Sequence, residues 1–232
     1  MQISGWIKQS LMDYPGKIAA VVFTQGCNFR CPYCHNQELI PMTSGSFPEE
    51  TILQHLDKNR FLLDGVVITG GEPTLQADLI RFIKKVKTLD LAVKLDTNGS
   101  HPQLLNELIG EKLVDYIAMD VKSALKPSRY CLAAGIKMNE KLLDRIKTAI
   151  RLIIDSGVDH EFRTTVCREL IQPEDLDLIA GKLTGCRRYF LQQYRPFDQK
   201  PEGCRIFSVY PENWVNQFTE RWSTELNILL RD

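Results

Sequence analysis

Three cysteines stand close together near the start of the chain, at Cys27, Cys31 and Cys34, in the segment GCNFRCPYCHN. Cysteine thiolates are the usual ligands of iron–sulfur clusters, and three on a short irregular loop can converge on one face of a 4Fe-4S cubane. No fourth cysteine stands nearby in the sequence. An iron without a protein thiolate keeps an open coordination position, as catalytic metal sites do. The spacing therefore predicts a 4Fe-4S cluster with one iron open to another molecule.

Two other chemistries are open to this cysteine segment. A zinc site with His35 as the fourth ligand is disfavoured, because adjacent Cys34 and His35 are awkward for tetrahedral closure. A plain electron carrier would usually bring four cysteines to each cluster. We interpret the remaining cysteines as small buried hydrophobes, with an auxiliary ligand or a redox-active pair of Cys186 and Cys204 as the alternative. These remaining cysteines are Cys131, Cys167, Cys186 and Cys204.

A glycine pair, Gly70-Gly71, follows a β-type run and precedes Glu72 and Pro73. Glycines let the backbone approach a ligand closely and present its N–H and C=O groups. An ordinary left-handed turn between strand and helix is the alternative for such a pair. The alternative for Glu72 is a structural role.

Polar side chains end two further β-type runs. Asp96 and Thr97 close one of them, and Asp120 and Lys122 close the next. A charged group at a strand end needs a partner if it is buried. The alternative for Asp96 is a helix cap or a local hydrogen bond.

Two residues near these strand ends have plainer alternatives. The pair Asn98-Gly99 has the composition of a turn. Arg163, on a later β-type run, is a candidate contact of a carboxylate or a ribose. An ion pair with Glu161 or Asp159 is the alternative for Arg163.

These residues lie in a chain that alternates short β-type runs with helix-period segments, which is typical of βα units around a parallel sheet. Chemistry belongs at the C-terminal ends of such strands, where the motifs stand. Periodicity alone leaves both an open doubly wound sheet and an incomplete barrel possible. The six predicted strands are Ala19–Thr24, Gly65–Thr69, Ala92–Asp96, Tyr116–Val121, Glu161–Val166 and Arg188–Gln193.

The predicted helices carry recognisable start signals. Ser46 with Glu49 resembles a capping box that opens the first helix. Pro173-Glu174-Asp175 is a favourable first turn for a later helix. Five large apolar residues recur at helical spacing near the end of the chain and predict a closing helix over residues 211–230. They are Trp214, Phe218, Trp222, Leu226 and Leu229.

Composition limits the classes of partner. The 232 residues are 44% hydrophobic, enough for a core without disulfides and typical of a single domain. Lys plus Arg and Asp plus Glu both count 29, so the net charge of zero disfavours nucleic-acid binding. No apolar run is long enough to span a membrane. Seven cysteines, three of them clustered, suit a reducing compartment, so we expect a cytoplasmic protein.

The CxxxCxxC segment, with the aromatic Tyr33 before its last cysteine, resembles the radical S-adenosylmethionine superfamily. This resemblance implies a partial (β/α)6 barrel in a single domain over residues 1–232. It also implies that S-adenosylmethionine chelates the open iron, and that one electron from the reduced cluster generates a 5'-deoxyadenosyl radical that abstracts hydrogen. Cys27, Cys31 and Cys34 then have the catalytic and metal-binding roles, and Tyr33 contacts the cofactor.

Two further motifs extend this resemblance. The segment GGEP resembles the superfamily loop that binds the methionyl amino group, which implies cofactor contacts at Gly70, Gly71 and Glu72. The segments DTNG and DxK resemble a branch of activating enzymes that make glycyl radicals in partner enzymes. Resemblance to that branch implies residues around the cofactor's carboxylate or a nearby cation, and we add Arg163 to them. The set is Asp96, Thr97, Asp120, Lys122 and Arg163.

The chain departs from one pattern of these activating enzymes. Some of them place a histidine after the last barrel strand, whereas this chain has the segment QQYRPFD there. Gln192, Gln193 and Asp198 are the candidates to replace the histidine, and the sequence does not choose among them.

The segments SLMDYPGK and FTQGCNFRCPYCHN are similar to those of activators of anaerobic ribonucleoside-triphosphate reductase. This resemblance implies a protein substrate, in which a backbone glycine loses hydrogen to form a glycyl radical, and an electron donor of the flavodoxin or ferredoxin type. A radical enzyme acting on a small molecule, such as a carboxy-deazaguanine synthase-like enzyme, is the main alternative. A non-catalytic iron–sulfur electron carrier is a remote one.

Overall fold

A computed structural model describes residues 1–196 and 205–231 of the chain. They form two compact units. The first unit comprises Met1–Asn28, Asn36–Thr97 and His101–Ala118, and the second comprises Phe29–His35, Asn98–Ser100 and the described part of Met119–Asp232. Asp198 and Cys204 lie outside the described residues, so their predicted roles stay predictions, as does the single domain.

The described residues form eight strands and seven α helices. The strands are β1 (Ile3–Ser10), β2 (Ala19–Thr24), β3 (Gly65–Gly70), β4 (Ala92–Thr97), β5 (Tyr116–Asp120), β6 (Asp159–Val166), β7 (Tyr189–Gln193) and β8 (Ile228–Arg231). The helices are α1 (Glu49–Asn59), α2 (Leu79–Lys87), α3 (Pro102–Gly110), α4 (Pro127–Ala134), α5 (Glu140–Asp155), α6 (Pro173–Leu183) and α7 (Glu212–Trp222). No helix in the described ranges is both long and apolar enough to cross a membrane.

The strands follow one another in the sheet in chain order, from β1 to β8. In the first unit β2, β3 and β4 pair in parallel, and β1 pairs with β2 in antiparallel orientation. In the second unit β6, β7 and β8 pair in parallel. Helices connect most of the successive parallel strands. The α/β class predicted from the alternating pattern is therefore confirmed.

One face of the first unit's strands is apolar because side chains two residues apart in a strand point to the same side. Ala19 and Val21 of β2 pack there with Val67 of β3 and with residues of β5. Tyr14, from the loop between β1 and β2, is buried in this cluster, and its ring meets that of Tyr116 edge to face at 5.7 Å. The loop is thus anchored by a core residue.

The predicted strands correspond to β2 to β7, but β1 and β8 were missed. β1 lacks the apolar-polar alternation that predicts a half-buried strand, and its consecutive residues Ile7, Lys8 and Gln9 are all exposed. The predicted closing helix over 211–230 is wrong over its last eight residues, because α7 ends at Trp222 and β8 begins at Ile228. The Ser-Thr pair after α7 has low helix propensity, and β7 offers β8 a partner strand.

The two predicted helix starts had different outcomes. The Ser46–Glu49 capping box is wrong, because α1 begins at Glu49 with Pro48 as the N-cap residue and no side-chain cap. Phe47 is instead held by a β-bridge to Ile3. The predicted start of α6 at Pro173 is confirmed. Its capping box joins Gln172 and Asp175, a pair that the sequence analysis did not name.

Candidate functional site

Cys27 lies in the first unit, directly after β2, and is half-buried. Its backbone N–H donates to the carbonyl of Ile40 at 3.0 Å, and the N–H of Gly26 donates to the carbonyl of Leu39 at 2.8 Å. Gly26 has φ +94°, a conformation that glycine adopts without strain. The position of Cys27 is therefore fixed by backbone contacts.

Cys31 and Cys34 lie in the second unit and are joined by a turn, in which the Cys34 N–H donates to the Cys31 carbonyl at 3.0 Å. The N–H of Arg30 donates to the carbonyl of Ala134 at the end of α4, at 2.8 Å. Gly135 ends α4 with φ +65°, and a Cβ there would lie 1.8 Å from the Arg30 carbonyl oxygen. Only glycine lets the cysteine segment lie this close to α4.

The described cysteines form no disulfides, so deprotonation of the three clustered thiols would give the thiolates that bind metal. Their convergence on one cluster follows from their spacing and stays a prediction. Cys167 is fully buried, and burial raises the pKa of its thiol to about 12. Burial also raises the pKa of half-buried Cys186 to about 11. Both thiols are protonated at neutral pH, as expected of structural cysteines.

The Gly70-Gly71 loop lies against the segment that leads to Cys27. The Gly71 N–H donates to the Thr24 carbonyl at 2.9 Å, and the Glu72 N–H donates to the Gly26 carbonyl at 2.8 Å. Gly70 has φ +109°. A Cβ on Gly71 would lie 2.1 Å from the Gly26 carbonyl oxygen, which is backbone and has little room to move. The positive φ of Gly70 and the close approach at Gly71 thus explain on steric grounds why both positions are glycine.

The Gly71→Ala variant is expected to push the glycine loop away from Gly26. Overpacking against backbone costs about 2 kcal/mol or more of unfolding free energy. Denaturant unfolding of the variant should show this loss. Gly110→Ala is the matched control, because nothing lies within 4 Å of its added Cβ at the end of α3. A Gly71→Ala protein as stable as the control would contradict the close packing.

Glu72 is 1% exposed and organises the glycine loop from inside. Its Oε1 accepts from the Thr74 N–H at 3.1 Å, from the Thr74 hydroxyl at 2.5 Å and from the Thr97 hydroxyl at 2.7 Å. Thr74 also contacts His101 Nδ1 at 3.2 Å. These contacts give Glu72 and Thr97 structural roles, and a direct cofactor contact of either stays a prediction.

Asp96, the residue before the last of β4, has contacts at both carboxylate oxygens in the first unit. Its Oδ1 lies 2.9 Å from the ammonium of Lys94, and its Oδ2 accepts from the Thr69 hydroxyl at 3.2 Å. In the second unit the Asn98 side chain accepts from the Ser100 N–H at 3.0 Å, and Gly99 has φ +74°. The turn that Asn98-Gly99 predicts is confirmed.

Asp120, Lys122 and Arg163 form a charged cluster in the second unit, which we call the charged triad. Lys122 Nζ donates to Asp120 Oδ2 at 2.8 Å, and Arg163 Nε donates to Asp120 Oδ1 at 2.7 Å. Burial raises the pKa of Asp120, but the two neighbouring cations outweigh it and hold that pKa well below its ordinary range. Burial lowers the pKa of Lys122, but Asp120 outweighs it and the net pKa is raised. Asp120 is therefore charged at neutral pH.

Arg163 pairs with carboxylates on β5 and on its own strand. It binds Asp120 closely, and its guanidinium also lies 3.8 Å from Glu161, one of the two alternatives named from the sequence. Sequence reasoning selected all members of the triad but not their pairing, which joins β5 and β6.

Tyr33 is buried beside the charged triad, with the Lys122 ammonium 6.0 Å from its ring centre, the outer range of a cation–π contact. Burial raises the pKa of its phenol. Its hydroxyl has no hydrogen-bond partner among the described residues. A buried donor of this kind is an available contact for a ligand.

A cavity of about 300 Å³ opens in the second unit next to Tyr33. Gln192 and Gln193 line it, as do His35 and Arg231. The side-chain carbonyl of Gln193 has no hydrogen-bond partner among the described residues, whereas its amide nitrogen donates to the Tyr210 carbonyl at 2.8 Å. Arg231 was missed because it lies on β8, the strand that the pattern did not predict. Two of the three candidates to replace a histidine therefore line a cavity.

The chain matches one family model. The description of that family is "Radical SAM superfamily", and the match covers residues 21–177. This range includes every predicted cofactor contact and all three clustered cysteines.

Two curated relatives are similar over most of their length. One is a protein of Methanocaldococcus jannaschii named as a candidate glycyl-radical enzyme activating enzyme, which is 38% identical over 220 residues, or 93% of this chain and 89% of the relative. The other is the pyruvate formate-lyase-activating enzyme of Clostridium pasteurianum, which is 36% identical over 196 residues, or 77% of this chain and 81% of the relative.

A solved structure shares the fold. SuiB from Streptococcus suis aligns with a TM-score of 0.70 and 14% identity over 91% of this chain. This chain spans about half of SuiB, at 48% of its length. Other SuiB structures contain S-adenosylmethionine or the precursor peptide SuiA. At this identity the likeness concerns the fold alone, and the predicted partial (β/α)6 barrel is confirmed.

Proposed function

The chain belongs to the radical S-adenosylmethionine superfamily, and from this we propose that it is a cytoplasmic activating enzyme that forms a glycyl radical in a partner enzyme. The similarity to a relative named as a glycyl-radical enzyme activating enzyme, over 93% of this chain, carries the proposal. The second relative, 36% identical, is named as the activator of pyruvate formate-lyase. Thiolate ligands fit the reducing compartment that the proposal requires.

Cys27, Cys31 and Cys34 would hold the 4Fe-4S cluster. The donor set fits, because three thiols in one eight-residue segment leave one iron for the amino and carboxylate groups of S-adenosylmethionine. When bound, the cluster and S-adenosylmethionine supply a 5'-deoxyadenosyl radical that removes a hydrogen atom from the substrate. The contribution of the chain is to position these groups and to exclude competing reactions.

The remaining candidates would bind the organic cofactor. Gly70 and Gly71 lie beside the segment that leads to Cys27, and backbone carbonyl groups there would suit the amino group. The charged triad offers one carboxylate and two cations, which suit the hydroxyl and carboxylate groups of a nucleoside and an amino acid. Tyr33 offers an aromatic face and a hydroxyl that can donate a hydrogen bond.

Gln192 and Gln193 would take the place of the histidine found in some activating enzymes. Both line the cavity beside Tyr33, which supports them over a purely structural role. A glutamine amide donates and accepts hydrogen bonds but does not titrate near neutral pH. Gln192 and Gln193 are therefore expected to add no pH dependence of their own to cofactor binding.

We propose anaerobic ribonucleoside-triphosphate reductase as the protein substrate, with a flavodoxin- or ferredoxin-like protein as electron donor. The N-terminal segment SLMDYPGK and the cysteine segment support this choice, because both resemble those of activators of that reductase. The names of the two relatives support a protein substrate in general.

Anaerobic reconstitution tests the proposal. The protein is loaded with iron and sulfide, reduced, and mixed with S-adenosylmethionine and the reductase. We expect 5'-deoxyadenosine together with the EPR doublet of a glycyl radical. A reductase whose radical glycine is replaced by alanine is the matched control and should give no doublet.

The other outcomes are also informative. A doublet on pyruvate formate-lyase but not on the reductase would overturn the choice of partner and keep the activating function. Cofactor cleavage without a glycyl radical on either protein would overturn the activating function. Absence of cleavage at verified cluster loading would overturn radical chemistry altogether.

A further inference from the structure

Lys94 lies in the middle of β4 on the apolar face of the first unit and is 3% exposed. It shares this face with Asp96, because the two residues are two positions apart in the strand. A buried ammonium group is costly unless it is paired and hydrogen-bonded. The groups that pair with the Lys94 ammonium must therefore account for its burial.

Three groups surround the Lys94 ammonium in the first unit. It lies 2.9 Å from Asp96 Oδ1 and donates to the backbone carbonyl of Asp13 at 2.7 Å. The ring centre of Tyr116 lies 5.9 Å away. Asp13 belongs to the loop between β1 and β2, residues 11–18, which we call the hairpin loop. Lys94 therefore joins the hairpin loop directly to Asp96.

Contacts within the hairpin loop and the burial of Tyr14 hold Asp13 in place. The Ser10 hydroxyl donates to Asp13 Oδ2 at 2.5 Å and accepts from the Met12 N–H at 3.2 Å. Tyr14, the next residue, is 3% exposed and packs against Tyr116. Leu11 and Met12 at the tip are 72% and 91% exposed. A change at the exposed tip can therefore reach Lys94 through one backbone carbonyl.

We infer that Lys94 is a positioning residue that holds the Asp96 carboxylate in place for the cofactor and couples it to the hairpin loop. This inference rests on the proposed function, because it uses the predicted contact of Asp96 with S-adenosylmethionine. The Thr69 hydroxyl donates to the second oxygen of Asp96, so the Lys94 ion pair and the Thr69 hydrogen bond act on the two oxygens of the carboxylate. Removing Lys94 frees one of these two constraints.

The first test measures S-adenosylmethionine affinity by equilibrium dialysis on the cluster-loaded, oxidised protein, in which no cleavage occurs. Lys94→Met is expected to weaken binding about tenfold, and Lys94→Arg, which keeps the charge, less than Lys94→Met. Lys87→Met is the matched control, because it breaks a surface pair with Asp115 in the same unit. Equal affinity in Lys94→Met and in the control would overturn the positioning role.

The second test changes the hairpin loop instead of Lys94 and measures the same coupling. Ser10→Ala loosens the hairpin loop without touching Lys94, and should increase trypsin cleavage after Lys17 and weaken cofactor binding about twofold. In the double variant with Lys94→Met, the Ser10→Ala effect on affinity should vanish, because the connection is already broken. Full additivity of the two affinity changes would overturn the coupling.

Asp96→Asn separates this inference from the proposed function. If Asp96→Asn leaves affinity unchanged, the cofactor contact of Asp96 is wrong and the proposed site fails with it. If Asp96→Asn weakens binding and Lys94→Met does not, the cofactor contact stands and the positioning role of Lys94 fails.

Discussion

Replacing any one of Cys27, Cys31 or Cys34 with alanine is expected to abolish the visible absorbance of the reconstituted cluster and the cleavage of S-adenosylmethionine together. Each thiolate holds one iron of the proposed cluster, and the chain offers no fourth cysteine nearby as a substitute. Absorbance and iron content after anaerobic reconstitution measure the first loss, and chromatography of 5'-deoxyadenosine measures the second. Activity below about 10⁻³ of the parent is expected, because the reactive group itself is missing.

Cys167→Ala is the control for these three variants. Its thiol is buried and protonated at neutral pH, so the variant should keep both cluster and cleavage while losing some packing. Retained cleavage in any of the three cluster variants would remove that cysteine from the proposed ligand set. Loss of the cluster in Cys167→Ala would instead give a buried cysteine an unexpected part in cluster assembly.

Replacing Asp120 with asparagine is expected to lower both stability and cofactor affinity while sparing the cluster. The variant leaves Lys122 and Arg163 beside each other with their shared anion removed. Because the Asp120 side chain is 28% exposed, breaking this partly buried pair is expected to cost about 2 kcal/mol, between the values for surface and buried pairs. Denaturant unfolding should show this loss. The Kd of S-adenosylmethionine should rise by about tenfold or more, because the polar contacts of the triad are lost.

The exposed pair of Asp144 and Lys147 in α5 provides the comparison. These side chains are 65% and 41% exposed, so Asp144→Asn should change the unfolding free energy by less than about 0.5 kcal/mol. Equal stability of the two variants would show that the charged triad is effectively solvated. Loss of the cluster in Asp120→Asn would mean that the triad supports the cysteine segment and not the organic cofactor.

The charged triad also makes the free energy of unfolding depend on pH. The pKa of Asp120 is held below the value of about 3.9 expected in the unfolded chain. Its stabilisation is therefore complete at neutral pH and is lost as the pH falls through the lower, folded-state pKa. The stability difference between the parent and Asp120→Asn should accordingly shrink only below about pH 4. A difference that already shrinks between pH 7 and pH 5 would contradict the depressed pKa.

The central strands were predictable from the sequence because they are buried on both faces and appear as continuous apolar runs, such as AAVVFT in β2 and GVVITG in β3. The edge strand β1 was not, because its partly exposed residues carry no such signal. The end of α7 was misplaced because Leu226 and Leu229 continue the helical spacing by coincidence after the helix has ended.

The candidate residues were predictable because each stands at a strand end, but their pairings depend on neighbouring strands. Asp120 meets Arg163 across β5 and β6, a contact that no local pattern specifies. The contact of Lys94 could not be predicted for the same reason, since its partner Asp13 lies in a loop far away in the sequence. A lysine between apolar residues in a predicted strand, two positions before an aspartate, was the available signal.

The contact between Arg30 and the end of α4 bears on how an iron–sulfur cluster is acquired and repaired. Protein groups hold the segment that carries the Cys31–Cys34 turn, through the Ala134 carbonyl and the close approach at Gly135. A zinc finger draws its folding free energy from the metal, whereas the contacts at Ala134 and Gly135 lead us to expect that this turn keeps its shape without metal. Oxygen or a chelator should therefore strip the proposed cluster without unfolding the chain, and a scaffold protein could refill the same thiols repeatedly.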